Sequence, residues 1–273
     1  MPIQVQNYNV GADQPLLLLS GPCMIENLDL CRRVADKMVQ ICAERGLNYV
    51  FKASFDKANR TSLHSSRGPG LGEGLEVLAR IKEEFGVPVT TDVHESIQCL
   101  EAAEVVDVLQ IPAFLCRQTD LLIAAGEAAA KFGGAVNVKK GQFLRPEGML
   151  HAVTKVRAAG CENVFVTERG TTFGYDSLVV DFRSLDIMRE FAPVCFDATH
   201  SVQKPGGGGN VTTGDRRFVP PLTNAAMAVG IDALFMETHP DPDNAQSDGP
   251  NMVPLHEMAD LLDRALAIRV ASR

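Results

Sequence analysis

Eight short apolar runs in this chain each end in a side chain that can ligate, donate or titrate: Cys23, Lys52, Asp92, Gln110, Lys139, Arg169 after Glu168, Asp197 with His200, and Glu237. One such residue means little, because the ends of buried segments meet solvent in any protein. Eight of them brought to one rim would make a site. Lys52, Lys139 and Arg169 come from three different runs and suit a ligand carrying both a phosphate and a carboxylate. Arginine supplies planar bidentate recognition there, and lysine a point charge. Cys23, His200, Glu237 and Asp248 form a mixed sulfur, nitrogen and oxygen set. Such a set fits a first-row divalent ion better than calcium or magnesium, which prefer oxygen cages. Each member also has an ordinary reading. A buried cysteine most often serves as a structural thiol, His200 suits a hydrogen-bonded loop, and Asp248 in Gln246-Ser247-Asp248-Gly249-Pro250 suits a turn. Residue chemistry by itself leaves these readings open beside the metal site.

Further residues belong near the motifs. His64 and His94 are expected to line a pocket, and His239 to touch the site or its surroundings, whereas His151 and His256 fall on helices at the surface. The segment from Val202 to Arg217 is rich in glycine, a composition that would let it close over a substrate and exclude water, or simply form a surface loop.

The elements that must position these groups follow from hydrophobic periodicity. Apolar, β-branched runs at 16–20, 49–52, 88–92, 106–111, 135–139, 163–167, 193–197 and 233–237 read as strands. Helical spacing marks 28–44, 74–85, 119–131, 147–158, 184–191, 220–229 and 255–270, with a short third crossover at 96–104. Strands alternating with helices pair in parallel, and eight of them close a (β/α)8 barrel, in which chemistry sits at the C-terminal strand ends. An open doubly wound sheet is disfavoured, since no G-x-G-x-x-G follows the first strand. Residues 3–6 and 8–10 stand outside the repeat and are expected to form a hairpin plugging the barrel bottom.

Length and composition agree. The 273 residues suit one barrel domain spanning 1–273, and 45% hydrophobic with 22% charged residues is ordinary for a globular chain. No apolar run approaches the roughly 20 residues of a membrane span. With no basic and apolar leader at the start, a cytoplasmic location is expected. The seven cysteines lack C-x-x-C spacing, against a disulfide framework. An excess of acid, 34 Asp and Glu against 26 Lys and Arg, disfavours nucleic acid as a partner. A basic pocket in an acidic protein points instead to a small anion.

Five motifs carry a specific resemblance: Phe51-Lys52-Ala53-Ser54-Phe55-Asp56-Lys57-Ala58-Asn59-Arg60, Ile111-Pro112-Ala113-Phe114-Leu115-Cys116-Arg117-Gln118-Thr119-Asp120, Asn137-Val138-Lys139-Lys140-Gly141-Gln142-Phe143, Thr167-Glu168-Arg169-Gly170, and Asp197-Ala198-Thr199-His200-Ser201-Val202-Gln203. From about residue 15 to the C-terminus the chain resembles the 3-deoxy-D-manno-octulosonate 8-phosphate synthases. The resemblance implies a homotetrameric (β/α)8 barrel that condenses phosphoenolpyruvate with D-arabinose 5-phosphate, releasing inorganic phosphate. The product is a precursor of the sugar that joins lipid A to the rest of lipopolysaccharide.

Residue roles are implied motif by motif. Lys52, Lys139 and Arg169 resemble the phosphoenolpyruvate cations, with Ser54, Lys57 and Gln110 nearby. Asn59 and Arg60 resemble the arabinose 5-phosphate contacts, Arg60 reaching that phosphate across a subunit boundary, and Phe114 an apolar wall. Thr61 stands where the family usually has serine and keeps the hydroxyl. Lys52, Lys139, His200 and Asp248 are the residues expected to act at the reacting atoms. Metal-dependent members carry Cys in the Gly-Pro-Cys turn where metal-independent members carry Asn. Cys23, His200, Glu237 and Asp248 therefore imply one divalent transition metal per subunit (Zn, Mn, Fe or Co), although Ser247-Asp248-Gly249-Pro250 resembles the version common in metal-free members. The related 3-deoxy-D-arabino-heptulosonate 7-phosphate synthases use erythrose 4-phosphate and carry Lys-Pro-Arg-Thr in place of Lys57-Ala58-Asn59-Arg60. A non-catalytic anion-binding barrel is the reading from another class; it would need the cations but not the Cys-His-Glu-Asp set.

Overall fold

The computed structural model describes residues 2–59, 66–174, 177–204 and 213–273. Arg60, Thr61, His64 and the Gly206–Gly209 run lie outside the described residues. Eight parallel strands pair in sequence order: β1 (Leu17–Gly21), β2 (Asn48–Lys52), β3 (Val89–Asp92), β4 (Val108–Ile111), β5 (Ala135–Lys139), β6 (Val164–Glu168), β7 (Val194–Asp197) and β8 (Ala233–His239). β8 pairs with both β7 and β1, so the sheet closes into a barrel. Among the described residues eight α-helices alternate with the strands: α1 (Leu28–Glu44), α2 (Leu71–Phe85), α3 (Ser96–Val105), α4 (Thr119–Phe132), α5 (Met149–Ala158), α6 (Arg183–Arg189), α7 (Val219–Val229) and α8 (Met258–Ala271). This is the (β/α)8 barrel expected from the pattern.

Local signals explain the helix limits. Asn27 caps α1 by accepting from the Leu30 amide at 2.8 Å, and Cys31, Val34, Ala35, Met38, Ile41 and Cys42 bury one face at helical spacing. A reciprocal capping box between Glu95 and Gln98 starts α3. α2 and α4 stop at Gly86 and Gly133, both left-handed. Among the described residues no helix is long and apolar enough to cross a membrane.

Two apolar layers are built from alternate strand residues. Leu18, Phe51, Leu109, Val136, Val166, Phe196 and Met236 face the helices. Leu17, Leu19, Val50, Val108, Ala135, Phe165, Cys195, Ala233 and Phe235 fill the barrel interior. Ile3, Val5 and Val10 join this inner layer from a hairpin of Ile3–Val5 with Tyr8–Val10. The Gln4 amide donates to Asn163 Oδ1 at 3.0 Å, and Gln6 Nε2 donates to Asp107 Oδ1. Asn163 and Asp107 immediately precede β6 and β4, so the hairpin seals the N-terminal end of the barrel, as expected.

The structure departs from the expected elements chiefly at the open end. β8 runs two residues further than its apolar stretch, because Thr238 and His239 pair in parallel with Val253–Pro254. Short antiparallel pairs add Thr171–Gly174 with Ser177–Val179, and Gln203–Lys204 with Thr213–Gly214. The latter pair anchors both ends of the segment expected to be a glycine-rich loop.

Candidate active site

Inside the barrel, six inward columns change from apolar to polar toward the C-terminal end. Val50 is followed two residues on by Lys52, Val108 by Gln110, Cys195 by Asp197 and Phe235 by Glu237. On β5 and β6 the columns run from Ala135 through Asn137 to Lys139, and from Phe165 through Thr167 to Arg169. Period-two alternation thus brings residues from six strands to the polar C-terminal mouth.

A continuous hydrogen-bond chain crosses this polar layer. Thr167 Oγ1 donates to Asn137 Oδ1 at 2.6 Å, Asn137 Nδ2 to Gln110 Oε1 at 3.0 Å, and Gln110 Nε2 to Asp92 Oδ1. Ser54 Oγ donates to Asp92 Oδ2 at 2.5 Å and accepts from Lys52 Nζ and Lys57 Nζ, each at 3.0 Å. One hydroxyl, with one donor and two acceptor sites, is fully used in fixing two ammonium groups. Lys52 also donates to Cys23 O at 3.2 Å and to Glu237 Oε1 at 2.8 Å. Burial works to raise the Asp92 carboxyl, but Lys52, Lys57 and His94 outweigh it and hold its pKa well below the usual range.

Cys23, Glu237 and Asp248 offer ligand atoms that all lie within 4.8 Å of one another, the one such group among the described residues. Cys23 Sγ lies 3.3 Å from Asp248 Oδ2 and 3.1 Å from Ser247 Oγ. Glu237 Oε2 is buried and has no hydrogen-bond partner among the described residues, an orphan acceptor that a cation would satisfy. Burial pushes the Glu237 carboxyl up, yet Lys52, His200 and Lys57 prevail and its pKa is about 2. Burial, together with Glu237, pushes the Cys23 thiol well above its ordinary value.

His200 borders the group. Its Nε2 lies 3.6 Å from Glu237 Oε2 and 3.9 Å from Asp248 Oδ2, while Nδ1 is 2.7 Å from Asp197 Oδ2. With Nδ1 donating to that carboxylate, the Nε2 lone pair points toward the other donors, an arrangement typical of ligating imidazoles. Asp197 also takes Lys139 Nζ. Against its burial, His200 and Lys139 hold the Asp197 pKa far down.

Two glycines make these approaches possible. A Cβ on Gly21 would stand 2.1 Å from Lys52 O, so only glycine lets the Gly21-Pro22-Cys23 turn cross the end of β2. The Met24–Ser54 bridge, with Ile25 N donating to Ser54 O at 3.0 Å, then locks that turn. A Cβ on Gly249 would meet Pro242 O at 2.2 Å. Asp248 itself adopts φ 50°, in the left-handed region that asparagine and aspartate tolerate best among non-glycine residues.

Arg169 is nine-tenths or more buried, and its Nη2 donates to His200 O at 3.2 Å and Gln203 Oε1 at 2.5 Å. Its backbone is held by Glu168, which accepts from the Arg169 and Gly170 amides at 3.0 and 2.7 Å. Above the polar layer opens a cavity of about 730 Å³. Lys52, Lys57, Asn59, Gln110, Phe114, Lys139, Arg169, His200 and Asp248 line it, and half-exposed Phe114 forms part of its wall. Ser54, Cys23 and Glu237 lie buried behind that lining.

The expected residues that are described therefore converge, with Arg60 and Thr61 outside the described set. His94 lines the cavity, His151 and His256 are exposed, and His239 turns toward Glu26, 3.5 Å from its Oε1. Asn137, Thr167 and Gln203, which sequence reasoning did not single out, complete the network. The roles of Asp92 and Asp197 as clamps on the lysines also went unassigned. Their inward register was the available signal.

Fold and cavity define a (β/α)8 barrel whose mouth brings Lys52, Lys57, Lys139 and Arg169 together beside a soft-and-hard donor group. A profile of the DAHP synthetase I family matches residues 1–266, and the chain belongs to that family. It is 58% identical to a 2-dehydro-3-deoxyphosphooctonate aldolase of Cyanothece sp., over 97% of this chain and 96% of that one. Its identity to the protein of that name from Desulfotalea psychrophila is 57%, over 96% and 92% of the two chains. With that from Fusobacterium nucleatum it is 54%, over 97% and 95%.

Proposed function

We propose that the chain is a 2-dehydro-3-deoxyphosphooctonate aldolase, acting in the synthetic direction. It would condense phosphoenolpyruvate, D-arabinose 5-phosphate and water into 3-deoxy-D-manno-octulosonate 8-phosphate and inorganic phosphate, a lipopolysaccharide precursor step. The observation that carries the reading is the convergence of Lys52, Lys139 and Arg169 from three strands on one cavity beside the Cys23–Glu237–Asp248 group. The relatives' shared name supports the same reaction.

In this reading Lys52, Lys139 and Arg169 pin the carboxylate and phosphate of phosphoenolpyruvate, supported by Ser54, Lys57 and Gln110. Asn59, Arg60 and Thr61 take the sugar phosphate, and Phe114 shields the carbon chain. The aldehyde is placed over C3 and the new carbon–carbon bond forms there. Water adds at C2, and the tetrahedral intermediate loses phosphate by C–O cleavage. Most of the acceleration then comes from holding two mutually repelling anions in register and stabilising developing charge. His200, with Nδ1 donating to Asp197, keeps Nε2 available to a proton or a ligand. Cys23, His200, Glu237 and Asp248 would hold one divalent transition ion (Zn, Mn, Fe or Co), and the orphaned Glu237 Oε2 fits that occupant. When bound, the ion would supply Lewis acidity and orientation.

We further take residues 1–273 as one catalytic domain that assembles as a homotetramer in the cytoplasm. Exposed Ile97 and Leu100 on α3 and Ile123 on α4 support a covered face. Lys57-Ala58-Asn59-Arg60 favours the five-carbon sugar over erythrose 4-phosphate. Phosphate release from phosphoenolpyruvate, assayed with each sugar phosphate separately, tests the proposal. Release with arabinose 5-phosphate is expected. Preference for erythrose 4-phosphate would reassign the substrate, and release with neither would exclude the reaction.

A further inference from the structure

Beneath the polar layer, one apolar side chain touches three of the candidate site residues. Phe235, fully buried on β8, is the last inward hydrophobe before Glu237. Its ring centroid lies 3.5 Å from Lys139 Nζ, 5.4 Å from Lys52 Nζ and 5.6 Å from the His200 ring. The backbone is fixed as firmly as the ring: Phe235 pairs with Leu19 and Asp197, and its carbonyl accepts from Ala198 N at 3.0 Å.

The two lysines are not equally provided for. Lys52 has Cys23 O, Ser54 Oγ and Glu237 Oε1, a partner for each of its three N–H donors. Lys139 has Asp197 as its hydrogen-bond partner among the described residues. A buried ammonium with one anionic partner is under-satisfied in a low-dielectric interior. The electron-rich ring face directly below it supplies the second contact. Asp197 and the ring together leave the third N–H for the cavity.

We infer that Phe235 is a positioning residue for phosphoenolpyruvate: its π-face, and not its bulk, sets Lys139 so that one N–H is presented to the bound anion. The inference rests on the substrate proposed above and goes beyond it by assigning a function to a core residue. A leucine would fill the same interior layer without offering a negative face.

The decisive variable is electron density at constant shape. In the full-length chain, position 235 is filled in turn with phenylalanine and its 4-fluoro, 3,5-difluoro and 3,4,5-trifluoro analogues. Phosphoenolpyruvate affinity is read by titration calorimetry, with KM and kcat for phosphate release measured in parallel and Tm recorded. Affinity should fall stepwise with fluorine number, by about tenfold over the series, mainly in KM and with Tm unchanged. Phe235→Leu should lose at least as much. Affinity indifferent to fluorine number, losses that track Tm, or wild-type affinity in Phe235→Leu would each overturn the inference. Absence of turnover in the unsubstituted chain would sink the proposed reaction alone, since the binding series still reads the ring.

Discussion

Lys52 Nζ lies 2.8 Å from Glu237 Oε1, with both side chains 1% exposed. One residue is a candidate anion-binding cation and the other a candidate metal ligand, so the two halves of the site share an ion pair. Removing one partner of a buried pair strands the other. Glu237→Gln should therefore lower stability by about 3 kcal/mol, short of the worst case because Ser54 Oγ and Cys23 O remain on Lys52. It should also reduce bound metal and raise KM for phosphoenolpyruvate together. Urea unfolding, metal content and kinetics on one preparation check this. Wild-type affinity for phosphoenolpyruvate in a metal-depleted variant would show the two halves to be independent.

Asp92 is predicted to tie stability to pH. Burial opposes its charge, but Lys52, Lys57 and His94 overcome this and depress the folded-state pKa. A carboxyl whose pKa is lower folded than unfolded stabilises the fold above its unfolded value of about 3.9. That contribution is lost as pH falls from there toward the folded value. Asp92→Asn should cost about 2 kcal/mol at pH 7, since its amide would also turn a donor toward either Ser54 or Gln110. The gap from wild type should narrow below about pH 4. Urea midpoints at pH 7, 5, 4 and 3 measure it, and a gap constant with pH would refute the charge account.

The legible and illegible parts of this chain differ for a physical reason. Barrel strands are covered on both faces, so each reads as an apolar run whose length and spacing stand out. The same double burial hides which residues face inward: every residue of Leu17–Gly21 and Ala135–Lys139 is buried. Lys52 and Arg169 announced themselves by charge at a strand end. Asn137, Thr167 and Phe235 sit within strands and gain meaning only when closure fixes their parity. The N-terminal hairpin was readable because it is short, locally paired and alternating. The two-residue strands Gln203–Lys204 and Thr213–Gly214 pair across a gap and leave too little pattern to detect.

Gly21 should tolerate no side chain. Its absent Cβ would stand 2.1 Å from the Lys52 carbonyl oxygen, a backbone atom that cannot swing aside. Gly21→Ala is expected to destabilise by about 2–3 kcal/mol through overpacking and to move Cys23 off the donor group. Metal content and urea midpoint should fall together. Retention of both would mean that the turn relaxes freely, contrary to the Met24–Ser54 bridge that pins it.

The proposed metal dependence is predicted to turn on Cys23. Its Sγ faces Asp248 and Ser247 in a buried setting, and Glu237 Oε2 beside it lacks a hydrogen-bond partner among the described residues, an acceptor that a cation would satisfy. Dialysis against a chelator should abolish turnover, and one divalent ion per chain should restore it. Full activity in metal-free protein would remove the metal from the reaction. Cys23→Asn is the sharper variant, because an amide replaces a soft thiolate with a neutral group that can hydrogen-bond Asp248 directly. Weak metal retention with turnover insensitive to chelator is the expected outcome. If that variant is folded but inactive even with added metal, the thiolate has a role that hydrogen bonding cannot replace.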